Sequence, residues 1–462
     1  MRIIKETQVK ICNKIIEVGL LSLIIFTPIA IGTVQAWSKL VMEFIVIIMT
    51  IVWLLKKNIL GEPLFKTTST FLNIPMIIFV FIILIQLTPL PSFVLKIVAP
   101  ESFKLYKLTL PDLTRWQTIS VNRFMTKAEL YLFLTYFLVF LLIINNISRQ
   151  EQINSIVTII ILIGTFEAIY GMLEYLSGHQ QIFWYVKKAY TDCVTGTYIN
   201  RNHFAGYLEM AIPLTFGKLI GYQQQKYNIS SDKDIKKADK LRAQKVILWF
   251  AFVIMFIALI ISASRAGIVS LALSLTIGGI IGYKKGIFGR NRKTIISIGI
   301  VITCGVLWLG IGNTFNRFSK LNADKEARTT IWQGAVSIVK GNPLLGTGFG
   351  TFIQTYKKFK PPELEHSLMD HAHNDWLELI TDTGIIGLSI VLFGLTYFMV
   401  NSLRQLQRRK NKFVISLALG GICGLLSLVF HSLTDFNLHI PANALLLSII
   451  LGLTHVTLRL KQ

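Results

Sequence analysis

Apolar runs long enough to cross a bilayer recur along this chain from end to end, and that recurrence fixes its fold class before any other feature is read. The hydrocarbon core of a membrane is about 30 Å thick and takes roughly 20 apolar residues of helix. Inside it every backbone N–H and C=O needs an internal partner, so only helices and closed barrels span it. The runs here are continuous rather than alternating, which selects helices over a barrel. The sequence predicts twelve, near 15–35, 39–55, 71–88, 127–146, 153–176, 204–222, 246–263, 266–283, 294–312, 376–400, 413–432 and 441–458. Composition agrees: 53% of residues are hydrophobic and 15% charged, against about 25% charged in a soluble protein. The expected fold is all-α and polytopic, with residues 1–462 forming a single membrane domain. Neither an appended soluble domain nor an internal repeat is evident.

The net charge of +23 invites a nucleic-acid reading, which its distribution argues against. With the N-terminus placed in the cytoplasm, most of the 47 Lys and Arg fall in the inner segments. The outer ones concentrate in the two longest outer loops, 89–127 and 313–375. Positive charge retained inside orients the chain with both termini cytoplasmic. Basic stretches such as Arg404 to Lys412 then serve as topology signals and contacts to anionic lipid, with no nucleic acid as partner. The first apolar run follows basic residues, as a signal peptide would, but lacks a small-x-small cleavage site and reads as an uncleaved span. Cys12, Cys193, Cys304 and Cys423 show neither metal-ligand nor disulfide spacing.

The outer segment 313–375 precedes the tenth span and is the only part large enough to act as a lid. Ile331, Trp332, Ala335 and Ile338 recur at helical spacing, predicting an amphipathic helix from Asp324 to Lys340 that ends at Gly341-Asn-Pro343. Gly346-Thr-Gly348-Phe-Gly350 follows; with no strand before it and no Lys-Ser/Thr after it, a phosphate loop is excluded and a tight turn expected. The loop 89–127 is expected along the membrane surface, where Trp116 suits the interface. The inner loop 223–245 is polar, lysine-rich and expected to be solvated.

Against this background a few polar residues stand out on the outer side. His371-Ala-His373-Asn374-Asp375 lies at the boundary before the tenth span, and His is the side chain best suited to exchange a proton near neutrality. Two apart, His371 and His373 would not share a helix face, so one is read as free for chemistry while the other holds the loop. The structural alternative is a helix entry capped by Asn374 or Asp375. A metal reading through His371, His373, Asp375 and Glu378 has no matching cluster elsewhere. Arg265 lies in a short turn between two spans, where an arginine is costly unless paired or facing a water-filled cavity; snorkelling to the interface is its alternative. Arg328 is placed at the start of the amphipathic helix, where it opposes the macrodipole, or is a solvated surface charge. Arg201 and Asn202 form a further boundary cluster with Asn200 and His203. Between the last two spans, His431 to Pro441 carries Asp435, Asn437 and His439, favoured for structural hydrogen bonding with a site role as the alternative.

Taken in order, Gly196 to Ala205, Ser264-Arg265-Ala-Gly267, Arg328-Thr-Thr-Ile-Trp332 with Pro343 to Gly350, and His371-Ala-His373-Asn374 resemble the O-antigen ligase and O-antigen polymerase superfamily of bacterial cell-surface glycan enzymes. The resemblance covers nearly the whole chain. It implies a GT-C-like membrane glycosyltransferase of the inner membrane, with its site facing the periplasm. Such a protein moves a glycan from an undecaprenyl-diphosphate carrier to a hydroxyl acceptor, a lipid A core sugar or a growing glycan. It implies inversion, no metal and no cofactor, and membrane lipids as partners. It implies His373 as base, with His371 beside it, and Arg265 and Arg328 against the diphosphate. Arg201, Asn202, Asn374 and Asp435 are the expected substrate-binding residues. Chemically, arginine suits a developing diphosphate charge, and no close carboxylate pair of a retaining glycosidase is visible. Ligase is favoured over polymerase and over protein glycosylation, for which a longer C-terminal region is expected. Outside the superfamily, a lipid-linked glycan transporter predicts basic mid-membrane residues and internal repeats, and an export-complex scaffold predicts tolerance of His373→Ala.

Overall fold

The computed structural model describes residues 2–64, 67–109, 116–223, 232–287, 314–360 and 371–460, without the side chains of 2, 3, 109, 233 and 314–327. Among the described residues it is almost wholly helical, and the one sheet there is a two-stranded hairpin, β1 (Gln181–Ile182) and β2 (Tyr185–Val186). In chain order the helices are α1 (Arg2–Ile29), α2 (Ala36–Leu60), α3 (Asn73–Leu87), α4 (Ser92–Val98), α5 (Pro100–Thr109), α6 (Arg123–Asn146), α7 (Gln150–Ser177), α8 (Arg201–Gln223), α9 (Asp232–Ile261) and α10 (Arg265–Lys284). They continue with α11 (Thr314–Gly341), α12 (Phe352–Tyr356), α13 (Asp375–Arg408), α14 (Lys412–His431) and α15 (Pro441–Arg459). Among the described residues, eight are long and apolar enough to span a membrane, and α3 is a shorter apolar helix. This is an all-α polytopic membrane protein. The run near 294–312 lies outside the described residues.

Helix α8 forms the axis of the bundle: from His203 to Gly221 every residue is buried. It packs on α14 nearly backbone to backbone. A Cβ on Gly217 would stand 2.4 Å from the Ser416 carbonyl oxygen, and one on Gly420 would stand 2.5 Å from that of Pro213. Lipid tails are as apolar as leucine, so helices associate in membranes through such close contact of small residues. This seam fixes the N-terminal end of α8 beside the C-terminal end of α14.

One expectation changes here and two segments gain detail. The amphipathic helix begins at Thr314, so Arg328 lies in its interior and the macrodipole argument no longer applies to it. Its apolar stripe is as expected, with Ile331, Ala335 and Ile338 buried. The lysine-rich inner segment is helical from Asp232, as the first turns of α9, because Asp232 and Asp234 in the first turn favour the dipole's positive end. The loop 89–127 holds α4 and α5 and folds onto the Gly346–Gly350 turn, where the Val121 N–H donates to the Thr347 carbonyl at 3.0 Å. The three glycines there have φ of +66°, +114° and +78°, a region L side chains avoid. Added Cβ atoms would strike Asp382, Ser120 and Glu129, so the turn is both tight and pressed against its neighbours.

Candidate active site

The N-terminal ends of α8, α10, α13 and α15 and the C-terminal end of α14 converge at one end of the bundle, tied together by the connection 432–440. Asn374 starts α13: its backbone is extended and its Oδ1 accepts from the Leu377 N–H at 3.0 Å. The expected capping role therefore belongs to Asn374. Starting the helix there sets Asp375 and Glu378 one turn apart on one face. Asp375 Oδ2 accepts from Ser432 Oγ at 2.8 Å and the Leu438 N–H at 3.1 Å, which docks the connection onto α13.

Two histidine–carboxylate systems result. In the first, Glu378 Oε2 lies 3.0 Å from His371 Nδ1 and 3.2 Å from His439 Nε2. Its Oε1 accepts from the Ala372 N–H at 2.5 Å. His439 Nδ1 is 2.9 Å from Asp375 Oδ1. Both nitrogens of His439 thus face buried carboxylates, Nδ1 hydrogen-bonded to Asp375 and Nε2 within ion-pair distance of Glu378. Burial disfavours the charged ring, but Glu378 and Asp375 outweigh it and push its pKa up to about 10.

In the second, the fully buried Asp435 gathers donors. Its Oδ1 accepts from the Phe436 N–H at 2.8 Å and lies 3.4 Å from His373 Nδ1 and 3.9 Å from His203 Nε2. Its Oδ2 accepts from Asn202 Nδ2. Burial raises the Asp435 pKa, but the His373 hydrogen bond and the charges of His203 and His431 outweigh it, holding the carboxyl well below its usual range. His373 has φ +49°, uncommon for a residue with a side chain. His371 stacks on Phe436 at 4.2 Å between ring centroids, while His373 and His203 meet the same ring edge-on at 4.9 and 4.6 Å. The two histidines therefore diverge to separate carboxylates, the backbone at His373 being left-handed rather than extended, yet border one aromatic ring. His373 is 29% exposed and its Nε2 makes no hydrogen bond among the described residues.

Cations surround this second system. Asn202 Oδ1 accepts from Ser264 Oγ at 2.9 Å, and Ser264 caps α10, so the turn carrying Arg265 is fastened to the Asp435 cluster. Arg265 is exposed and has no partner among the described residues. Half-buried Arg328 donates from Nη1 to the Thr434 carbonyl at 2.9 Å, one residue before Asp435. Arg201 lies over the Tyr190 ring at 5.6 Å, with Nε buried and unpartnered. Beneath, His431 Nδ1 is 3.1 Å from Glu209 Oε2, both fully buried.

The structure thus brings together His371, His373, Asn374, Asp435, Asn202, Arg201 and Arg328, with Arg265 fastened alongside. Asn374 and Asp435 use their side chains on protein partners, as a cap and as the histidine's carboxylate. His439, Glu378, Asp375 and Phe436 complete the site. The spacing of Asp375 and Glu378, one turn apart directly after the histidines, is the signal that pointed to them; nothing in the sequence marks Phe436.

The donor atoms of His371, Glu378 and His439 lie within 4.8 Å of one another and form a set that could hold a metal ion. A cation there would have to displace the proton of His439, whose nitrogens both serve carboxylates. Residues 250–392 match the family model described as O-antigen ligase, a stretch that takes in Arg265, Arg328, His371 and His373. A search of curated proteins gave no match.

Proposed function

We propose that this chain, whose residues 250–392 match the O-antigen ligase family model, transfers a glycan from an undecaprenyl-diphosphate carrier to a hydroxyl acceptor at the periplasmic face of the inner membrane. The observation that carries the reading is the pairing of His373 Nδ1 with buried Asp435, which leaves Nε2 available as a base beside three arginines. His373 Nε2 takes the acceptor's hydroxyl proton as that oxygen bonds the anomeric carbon. The carbon–oxygen bond to the diphosphate breaks on the opposite face, and the electron pair leaves with the diphosphate. One displacement inverts the anomeric centre. Asp435 holds the ring and stabilises the imidazolium, as a buried carboxylate does for a general base. Arg265, Arg328 and Arg201 compensate the charge developing on the leaving group. No step requires a metal.

A gel of surface glycan from a deletion strain, complemented with wild type or His373→Ala, tests this. The variant is expected in the membrane but inactive; a wild-type glycan pattern would remove the base. Lipid A core without repeat units, with glycan retained on its carrier, supports a ligase. Core bearing a single repeat unit reassigns the step to a polymerase.

A further inference from the structure

A cavity of about 240 Å³ runs between α3, α6, α13, α14 and α15. Along α13 its lining extends from Asp375 to Leu395, on both sides of the helix break at Gly384, where φ is +65° and ψ −172°. It is therefore an elongated slot. Its volume is below the roughly 300–1,000 Å³ of a site that encloses a drug-sized ligand, which suits a single hydrocarbon chain better than a branched head group. The walls are apolar, with Phe79, Phe133, Leu379, Val391 and Leu451 among them.

Its wall carries three carboxylates, with the His439 imidazole, the Tyr136 phenol and the Ser432 and Ser448 hydroxyls beside them. Asp375 and His439 bring it to the histidine cluster, and Asp382 and Glu129 line it too. Asp382 is buried; its Oδ2 accepts from the Gly350 N–H at 2.6 Å, while its Oδ1 has no partner. Glu129 has no hydrogen-bond or ion-pair partner among the described residues. The buried, unpartnered Oδ1 of Asp382 calls for a donor, since an unmet buried acceptor costs about 1–3 kcal/mol, and half-buried Glu129 can accept from another. No lysine or arginine lines the slot, and Arg201, Arg265 and Arg328 all lie outside it. The one cation on the wall, His439, is already claimed by Asp375 and Glu378, so a diphosphate there would find no free cation, unlike on the arginine side.

We propose that this slot seats one hydrocarbon chain of a lipid-anchored acceptor with an uncharged, hydroxyl-bearing head, while the diphosphate-linked donor occupies the arginine side. The assignment rests on the transferase reading above and adds to it which substrate enters from which side. The histidines around Phe436 stand between the two, where a hydroxyl from one lipid meets the anomeric carbon on the other.

The test uses the full chain in nanodiscs and three photoactivatable probes with a diazirine in the hydrocarbon chain: a neutral dihexosyl diacylglycerol, undecaprenyl diphosphate and phosphatidylethanolamine. Cross-linked peptides are mapped by mass spectrometry. The neutral glycolipid is expected to label segments around Met76 and Ile390 at least fivefold more than either other probe. Val391→Trp, which narrows the slot, is expected to cut that labelling at least fivefold while leaving diphosphate labelling elsewhere unchanged. Equal or stronger labelling by undecaprenyl diphosphate overturns the assignment in favour of the donor. Equal labelling by phosphatidylethanolamine makes the slot an ordinary lipid seat, and no labelling makes it a packing gap. Labelling needs no turnover, so its failure is separable from failure of His373→Ala to stop transfer.

Discussion

Replacing Asp435 with Asn separates the charge of this carboxylate from its hydrogen bonding. The Phe436 N–H, 2.8 Å from Oδ1, keeps an oxygen at that position, so the introduced amide nitrogen takes the place of Oδ2. There it meets Asn202 Nδ2, and the Asn202 amide must turn over. That is tolerable because its other partner, Ser264 Oγ at 2.9 Å, accepts as well as it donates. His373 keeps an acceptor at Nδ1 but loses the negative charge opposite its imidazolium. At 3.4 Å and an effective dielectric near 20, that charge is worth about 5 kcal/mol. Charge delocalised over both groups and a ring 29% exposed reduce this to about half, by screening. At about 1.4 kcal/mol per decade, Asp435→Asn should lower kcat roughly 10²-fold. The KM for the diphosphate-linked donor should change less than about threefold, because the arginines are untouched. Asp435→Ala should also lower the thermal midpoint, since it strands the Phe436 and Asn202 donors at about 1–3 kcal/mol each. Steady-state release of undecaprenyl diphosphate by the purified chain reads both constants. If Asp435→Asn keeps a third or more of wild-type kcat, the carboxylate does not support a base. If KM rises a hundredfold at constant kcat, Asp435 binds substrate directly.

The fold was legible in the sequence wherever one physical signal acts alone. Among the described residues, hydropathy locates eight of the twelve expected spans as helices long and apolar enough to cross, because the bilayer is a uniform solvent. The glycine turn and the Ile331–Ile338 stripe were readable because backbone sterics and helical period act locally. The start of α11 was not, since Thr314 to Asp324 has little apolar period and nothing local that forbids an earlier start. The site was half legible. His373, Arg265 and Arg328 stand out as polar residues at boundaries, where their presence needs a reason. Asp435 and Asn374 were expected to touch substrate; the structure adds that the first pairs with a histidine and the second caps a helix. Sequence shows which groups can bond and not which neighbours claim them first. His439 is the sharpest case. Its meaning depends on two carboxylates more than 60 positions away in the chain, and only their convergence makes it a buried cation.

Three further outcomes are expected. Arg265→Ala with Arg328→Ala should abolish binding of undecaprenyl diphosphate, read by competition with a labelled analogue; unchanged binding removes both from the leaving-group site. Chelation with EDTA should leave the transfer rate within about twofold, because both His439 nitrogens already serve carboxylates; loss restored by a divalent ion would install a metal at His371, Glu378 and His439. The pH dependence of stability turns on His439, whose folded pKa of about 10 exceeds its ordinary 6.5. Its contribution is complete below about pH 6.5, where the ring is charged in both states, and is lost as pH rises towards 10. His439→Gln, which leaves Asp375 and Glu378 facing each other, should lower stability at pH 6 by about 2–3 kcal/mol, the low end for a broken buried pair because the ring is 21% exposed. It should also remove most of the fall in thermal midpoint between pH 6.5 and 10, and a variant that keeps the wild-type alkaline slope would show that this ring is not the titrating cation.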